Sequence, residues 1–198
     1  MAIVLVLVGP SAIGKSFTAN TLIGMFPNHF TRVKVHTTRQ PRMSEAKASD
    51  RVFLDTEDFE QMAQRGDFSI DEYFSGNQYG IRKDDLKPAD RHLIVDAPPR
   101  WLPQLLSHDD MLVIGLQTPP DYWPLLEARM KARGDTLSAR NARKLQIEAD
   151  MRDLERLSPS INKYGRIFQV KDDQTVPGTV IPWIMDSLNL RVNRLRTS

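Results

Sequence analysis

The chain has 198 residues, 40% of them hydrophobic, with 27 basic and 25 acidic side chains. That composition suits one domain with a substantial core, and it lacks the single-sign field of a nucleic-acid or membrane-surface binder. There is no cysteine, which excludes disulfides, thiolate metal sites and thiol catalysis and agrees with a cytoplasmic setting.

The first apolar run, Ile3–Val8, is too short to cross a bilayer and lacks a basic flank, so it reads as a buried strand and not as a signal peptide. Gly9-Pro10-Ser11-Ala12-Ile13-Gly14-Lys15-Ser16 follows, and a helical pattern over Ser16–Met25 comes next. Strand, Gly-x-x-x-x-Gly-Lys-Ser and helix together are the context of a phosphate-binding loop. Gly9 and Gly14 let the backbone curl so that successive N–H groups point at one phosphate chain. The helix adds its positive N-terminal end. Lys15 can reach the β- and γ-phosphates, and the Ser16 hydroxyl can ligate Mg²⁺. A nucleoside triphosphate bound along Gly9 to Phe17 is therefore expected.

Four further apolar segments read as buried parallel strands: Thr31–His36, His92–Asp96, Met111–Leu116 and Arg166–Val170. Helical patterns cover Trp101–Leu106, Asp121–Ala132, Ser138–Arg156 and Val176–Leu190. The alternation predicts an α/β fold, a three-layer parallel sheet with ligands at the carboxyl ends of its strands. Residues 38–90 break the alternation with a β-like segment (Val52–Leu54), a helix (Thr56–Gln64) and an extended piece (Ser69–Tyr79), read as an excursion that carries a second substrate. Arg129, Arg133, Arg140 and Arg143 surround Gly134-Asp135, a flexible turn suited to a lid over phosphates at about residues 129–147. Arg191, Arg194 and Arg196 read as a solvated tail.

Thr37-Thr38-Arg39-Gln40-Pro41-Arg42 followed by Glu45, then Gly76-Asn77-Gln78-Tyr79-Gly80, then Arg129-x-x-x-Arg133-Gly134 resemble three motifs of the guanylate kinases, with fitting spacing over about residues 3–190. The resemblance implies a single P-loop kinase domain over 1–198 that uses ATP with Mg²⁺. Arg39, Arg42 and Tyr79, with Glu45, stand where the family holds the acceptor, and paired guanidinium forks suit phosphate oxygens. Arg51 stands where the family has an aromatic phosphate ligand. Arg133 would stabilise the transferring phosphoryl group, with Arg143 or Lys144 from the second half of the lid. Ser16 and Asp96 would hold Mg²⁺, and Arg129 and Lys171 would lie on the ATP side.

The departures concern the base. Where guanylate kinases read guanine, this chain has Ile70, Ile81 and Pro98. Asp71 and Glu72 are adjacent and would serve only through a one-residue slip. Leu102-Pro103-Gln104 and Leu116-Gln117-Thr118-Pro119-Pro120 resemble segments of the ribose 1,5-bisphosphate phosphokinases, a branch with a similar loss. The expected activity is transfer of the ATP γ-phosphoryl group to a small phosphate-bearing acceptor, a nucleoside monophosphate or sugar phosphate other than GMP. Ribose 1,5-bisphosphate phosphokinase is one alternative. A non-catalytic guanylate-kinase-like interaction module is another, which the complete phosphate loop opposes. A cytoplasmic monomer or homodimer is expected, with ATP and the acceptor as partners and neither membrane nor nucleic acid.

Overall fold

The computed structural model of the protein describes residues 2–41, 50–74, 76–106, 110–119, 121, 123–132 and 134–190. In chain order the elements begin with β1 (Val4–Val8), α1 (Lys15–Met25), β2 (Phe30–Arg32), β3 (Val35–Thr37) and β4 (Arg51–Phe53). Next come α2 (Thr56–Gln64), β5 (Phe68–Phe74), β6 (Asn77–Arg82) and β7 (His92–Ala97). The second half holds α3 (Leu102–Leu105), β8 (Met111–Gln117), α4 (Trp123–Ala132), α5 (Leu137–Tyr164), β9 (Gly165–Gln169) and α6 (Ile181–Ser187).

Side chains of a strand alternate between faces, and β1 is apolar at every position, so it buries both. Leu5 and Leu7 enter one core with residues of α1, α4 and α6. Val4, Val6 and Val8 enter the other with α3 and the second half of α5. Around β1 the strands run β2-β7-β1-β8-β9, all parallel. This is the expected sheet covered on both faces. No helix among the described residues is long and apolar enough to cross a membrane.

The expected strand Thr31–His36 is two strands in two sheets. Val33 N donates to Ile94 O at 3.0 Å, the last bond to β7, and Val35 N then donates to Asp50 O at 3.0 Å. The chain thus leaves the main sheet between these two valines and enters a second sheet, ordered β4-β3-β6-β5. The extended piece expected over Ser69–Tyr79 is a hairpin, β5 antiparallel to β6. The helix expected at Trp101 opens with a tight turn over Pro99–Trp101 and continues as the short α3. A wide π turn, Val176–Val180, precedes α6.

α5 is longer than its pattern suggested. Thr136 caps it by accepting from Ala139 N, and it runs 28 residues, through Pro159, to Tyr164. Leu154, Leu157 and Ile161 keep one stripe buried across the proline, and that burial offsets the hydrogen bond the proline removes.

Gly165 lets β9 approach β8: a Cβ there would lie 1.8 Å from Val113 O. Backbone cannot give way cheaply inside a sheet, so Gly165→Ala should cost roughly 1–3 kcal/mol or more. Urea unfolding monitored by circular dichroism measures it, and an unchanged midpoint would contradict this packing.

Candidate active site

The carboxyl end of β1 opens into the phosphate loop. A Cβ on Gly9 would sit 2.5 Å from Leu116 O, and Gly14 has φ 119, so glycine is required at both for different reasons. Ala12 also adopts a positive φ, 63. Such strain in a non-glycine residue gathers at ligand sites. Gly14 gives α1 no side-chain cap, which leaves its first turn suited to an anion.

Three side chains converge beside the loop. Strand pairing aligns Leu7 with Asp96, which brings that acid to the end of β7 next to the loop. Ser16 Oγ donates to Asp96 Oδ2 at 2.6 Å, and Lys15 Nζ lies 3.8 Å from Asp96 Oδ1. Lys15 Nζ also donates to Gly9 O at 2.6 Å and Pro10 O at 2.9 Å. The sequence reading missed Arg32, which donates to Ser16 O and to Asn20 Oδ1, each at 3.0 Å, and lies 3.9 Å from Asp96 Oδ2.

Two cavities flank Lys15. One of about 270 Å³ lies against Ala12, Ser16, Phe17, Arg129 and Val176. Arg129 donates to Ala12 O at 3.1 Å and to Asp173 Oδ1 at 2.6 Å, so it braces the loop from behind. The other, about 630 Å³, runs from Gly9, Ser11, Lys15 and Asp96 to Arg39 and Tyr79, with Arg143 on its α5 wall. Arg143 Nη1 donates to Ser11 Oγ at 3.0 Å, and Arg143 Nε lies 3.2 Å from Asp135 Oδ2.

Not every expected residue joins these cavities. Lys144 is exposed and sits 5.3 Å from the Trp123 ring centroid, away from Arg143's wall. Arg140 is bound to Asp135 O and paired with Glu127. Arg51 lines a small cleft with Arg32 and Asp50 on the other side of Asp96. Lys171 lies in a shallow recess with Asp121 and Asp172, beyond Arg129. Pro10 and Ile13 belong to the loop, Ile13 as part of the core. Arg42, Glu45 and Arg133 lie outside the described residues.

The expected base-reading positions Ile70 and Ile81 lie on the hairpin, next to a register shift between Phe68 and Ile70. Ile70 pairs with Ile81 across the hairpin, and both are fully buried. Asp71 is exposed, on the opposite face of the strand. Glu72 is engaged: Arg100 grips its carboxylate with Nε and with Nη2, the latter at 2.9 Å, and Trp101 Nε1 donates to it at 2.8 Å. Pro98 lines the larger cavity together with Arg100.

Asp150, also on that cavity, is 4% exposed. Gln146 Nε2 donates to Asp150 Oδ1 at 2.9 Å, and Arg100 Nη1 lies 3.6 Å away. Burial pushes its carboxyl above the usual range, against the pull of Gln146, Lys15 and Arg100. Sequence reasoning missed both Arg100 and Asp150. The one local signal for the acid is its spacing from Arg143 and Gln146, which puts all three on one helix face.

A guanylate kinase family model matches residues 1–156. The chain belongs to the guanylate kinase family. The guanylate kinase of Idiomarina loihiensis is 29% identical over 150 residues, 72% of this chain and 71% of that protein. A mouse protein described as leucine-rich repeat and guanylate kinase domain-containing is 32% identical over 83 residues, and the match spans 42% of this chain but only 10% of that longer protein. The crystal structure of guanylate kinase from Anaplasma phagocytophilum aligns with a TM-score of 0.61 at 17% identity, over 96% of this chain and 87% of that one. It shares the P-loop kinase fold.

The raised carboxyl of Asp150 has a sign that can be measured. The folded state holds this proton more tightly than the unfolded chain does, so its contribution favours folding as the pH falls through the raised value toward 3.8 and is lost as the pH rises through that value. Asp150→Asn should therefore raise the melting temperature at pH 7 and remove that part of the pH dependence. Melting curves of both proteins between pH 4 and 8 measure it, and a lowered melting temperature at pH 7 would refute the burial cost.

Proposed function

We propose that the chain is a cytoplasmic phosphotransferase that moves the γ-phosphoryl group of ATP to a small phosphate-bearing acceptor, a nucleoside monophosphate or sugar phosphate other than GMP. The observation that carries this reading is the larger cavity, which joins Lys15 and Asp96 to Arg39 and Tyr79 without interruption. A kinase needs two phosphate grips facing each other, because its catalysis is positioning and charge neutralisation. The loop, intact to Lys15, argues against a purely structural interaction module.

Lys15 exchanges its contacts with the Gly9 and Pro10 carbonyls for the β- and γ-phosphates, while the loop amides hold the rest of the triphosphate. Arg129 keeps the loop in shape from behind, and Phe17 lines the nucleoside side. Ser16 and Asp96, hard oxygen donors 2.6 Å apart, suit Mg²⁺, an ion that takes one or two protein oxygens and completes its shell with water and phosphate. Bound there it neutralises charge on the β- and γ-phosphates. Arg39 and Tyr79, with Arg42 and Glu45 by their motif positions, fix the acceptor's phosphate. Arg133 and Arg143 close over the transferring group from the lid. Lys144, turned toward Trp123, is left out of this set.

Guanine presents N–H donors at N1 and N2 that call for carboxylates at the family's positions. Ile70, Ile81 and Pro98 offer none, and each unpaired buried donor costs about 1–3 kcal/mol. None of the relatives named above is a ribose 1,5-bisphosphate phosphokinase, and no contact favours that acceptor over other phosphate esters.

Lys15→Ala should abolish turnover and leave the melting temperature within a few degrees of wild type. More than about a tenth of the wild-type rate would overturn the transfer mechanism. Coupled ADP release with GMP beside other nucleoside monophosphates and ribose 5-phosphate should show GMP among the poorest. GMP turnover at roughly 1–100 s⁻¹, ordinary for kinases, would refute the reading of the base site. Arg39→Ala should weaken acceptor kcat/KM by about 2–5 kcal/mol and barely change the Kd of ATP. The reverse pattern would mean that the acceptor binds elsewhere.

A further inference from the structure

Arg100 takes no part in the steps above, yet its guanidinium is fixed on three sides. Its Nε and Nη2 atoms face the Glu72 carboxylate, whose own orientation is set by the Trp101 indole N–H. The plane lies 4.4 Å from the centroid of the Phe74 ring. Only Nη1 is turned from Glu72, and it lies 3.6 Å from Asp150 Oδ1, too far for a direct hydrogen bond. Arg100 comes from the turn after β7, Glu72 and Phe74 from the hairpin, and Asp150 from α5, so three separate elements meet here, and Phe74, Arg100 and Asp150 line the cavity.

A salt bridge that merely tied the hairpin to the turn would need Glu72 and Arg100 alone. It gives no reason for a second carboxylate, nearly fully buried beside it. Buried ionisable groups of this kind gather where a ligand must be read. A guanidinium offers donors and no acceptor, and a carboxylate offers acceptors and no donor. With a gap of 3.6 Å, one oxygen can accept from Nη1 while its own or an adjacent hydrogen goes to Asp150.

We infer that Arg100 and Asp150 form the subsite that selects the acceptor, taking from it a group that accepts and donates at the same or neighbouring atoms. Two sources share that chemistry: a sugar hydroxyl, and the lactam edge of a base that lacks guanine's extra amino group. Glu72 is a positioning residue that acts through Arg100. The inference rests on the phosphotransferase reading and deepens it.

The test uses the full chain with ATP, Mg²⁺ and five acceptors: ribose 5-phosphate, IMP, UMP, AMP and GMP. Ribose 5-phosphate as the best acceptor identifies the hydroxyl, and IMP or UMP the lactam. Arg100→Met and Asp150→Asn should each lower kcat/KM of the best acceptor about tenfold or more, mainly through KM, with the Kd of ATP unchanged. The double variant should be little worse than the poorer single one, because both residues hold one group. Asp150→Asn should lose acceptor use while gaining thermal stability, a combination that a structural role does not produce. Should Arg100→Met fail to fold with Glu72 unpaired, Arg100→Met with Glu72→Gln replaces it. Additive losses, equal weakening of ATP, GMP or AMP as the best acceptor, or no loss at all would overturn the assignment. Turnover of none of the five would instead refute the phosphotransferase reading beneath it.

Discussion

Everything at the site hangs on the alignment of β1 with β7. Leu7 opposite Asp96 brings an acid on one strand to the height at which the other ends and becomes the phosphate loop. From that register follow the 2.6 Å Ser16–Asp96 hydrogen bond and the 3.8 Å approach of Lys15. Because β1 is buried on both faces, a slip by one residue would move leucines into the valine core and valines into the leucine core. The two cores differ in the helices they meet, so packing on both sides holds the register and with it the geometry of the loop.

Local features of this architecture could be read from residue types. The loop is legible because Gly9, Gly14, Lys15 and Ser16 act on their own backbone or on a ligand at their own end of the sheet. The split of Thr31–His36 was not legible, since Val33 and Val35 alternate as one continuous strand would. What parts them is a change of partner, from Ile94 to Asp50, and that is a tertiary event. The helical pattern reads as far as Arg156, whereas the buried stripe Leu154, Leu157, Ile161 carries α5 on through Pro159 to Tyr164.

The same division runs through the site. Arg39 and Tyr79 announced themselves by motif and do line the cavity. Arg143 and Lys144 could not be separated by sequence alone, although helical phase separates them: Arg143 shares a wall with Gln146 and Asp150, and Lys144 is turned onto Trp123. Arg32, Arg100 and Asp150 belong to no motif. Arg32 and Arg100 become significant only through partners distant in the chain, 64 residues for Arg32 and Asp96 and 28 for Arg100 and Glu72. No windowed pattern can register such pairs.

In the hairpin, Ile70 and Ile81 close one face into the core and give β5 and β6 a packed interior. Arg100 reaches in from the turn after β7, steadied by the two hairpin residues that still face it, Glu72 and Phe74. Its counterpart Asp150 comes from the helix that also carries Arg143, so one element reaches both the phosphate loop at Ser11 and Arg100. A helix with contacts at both places ties them together, because α5 cannot shift at Arg143 without shifting at Asp150.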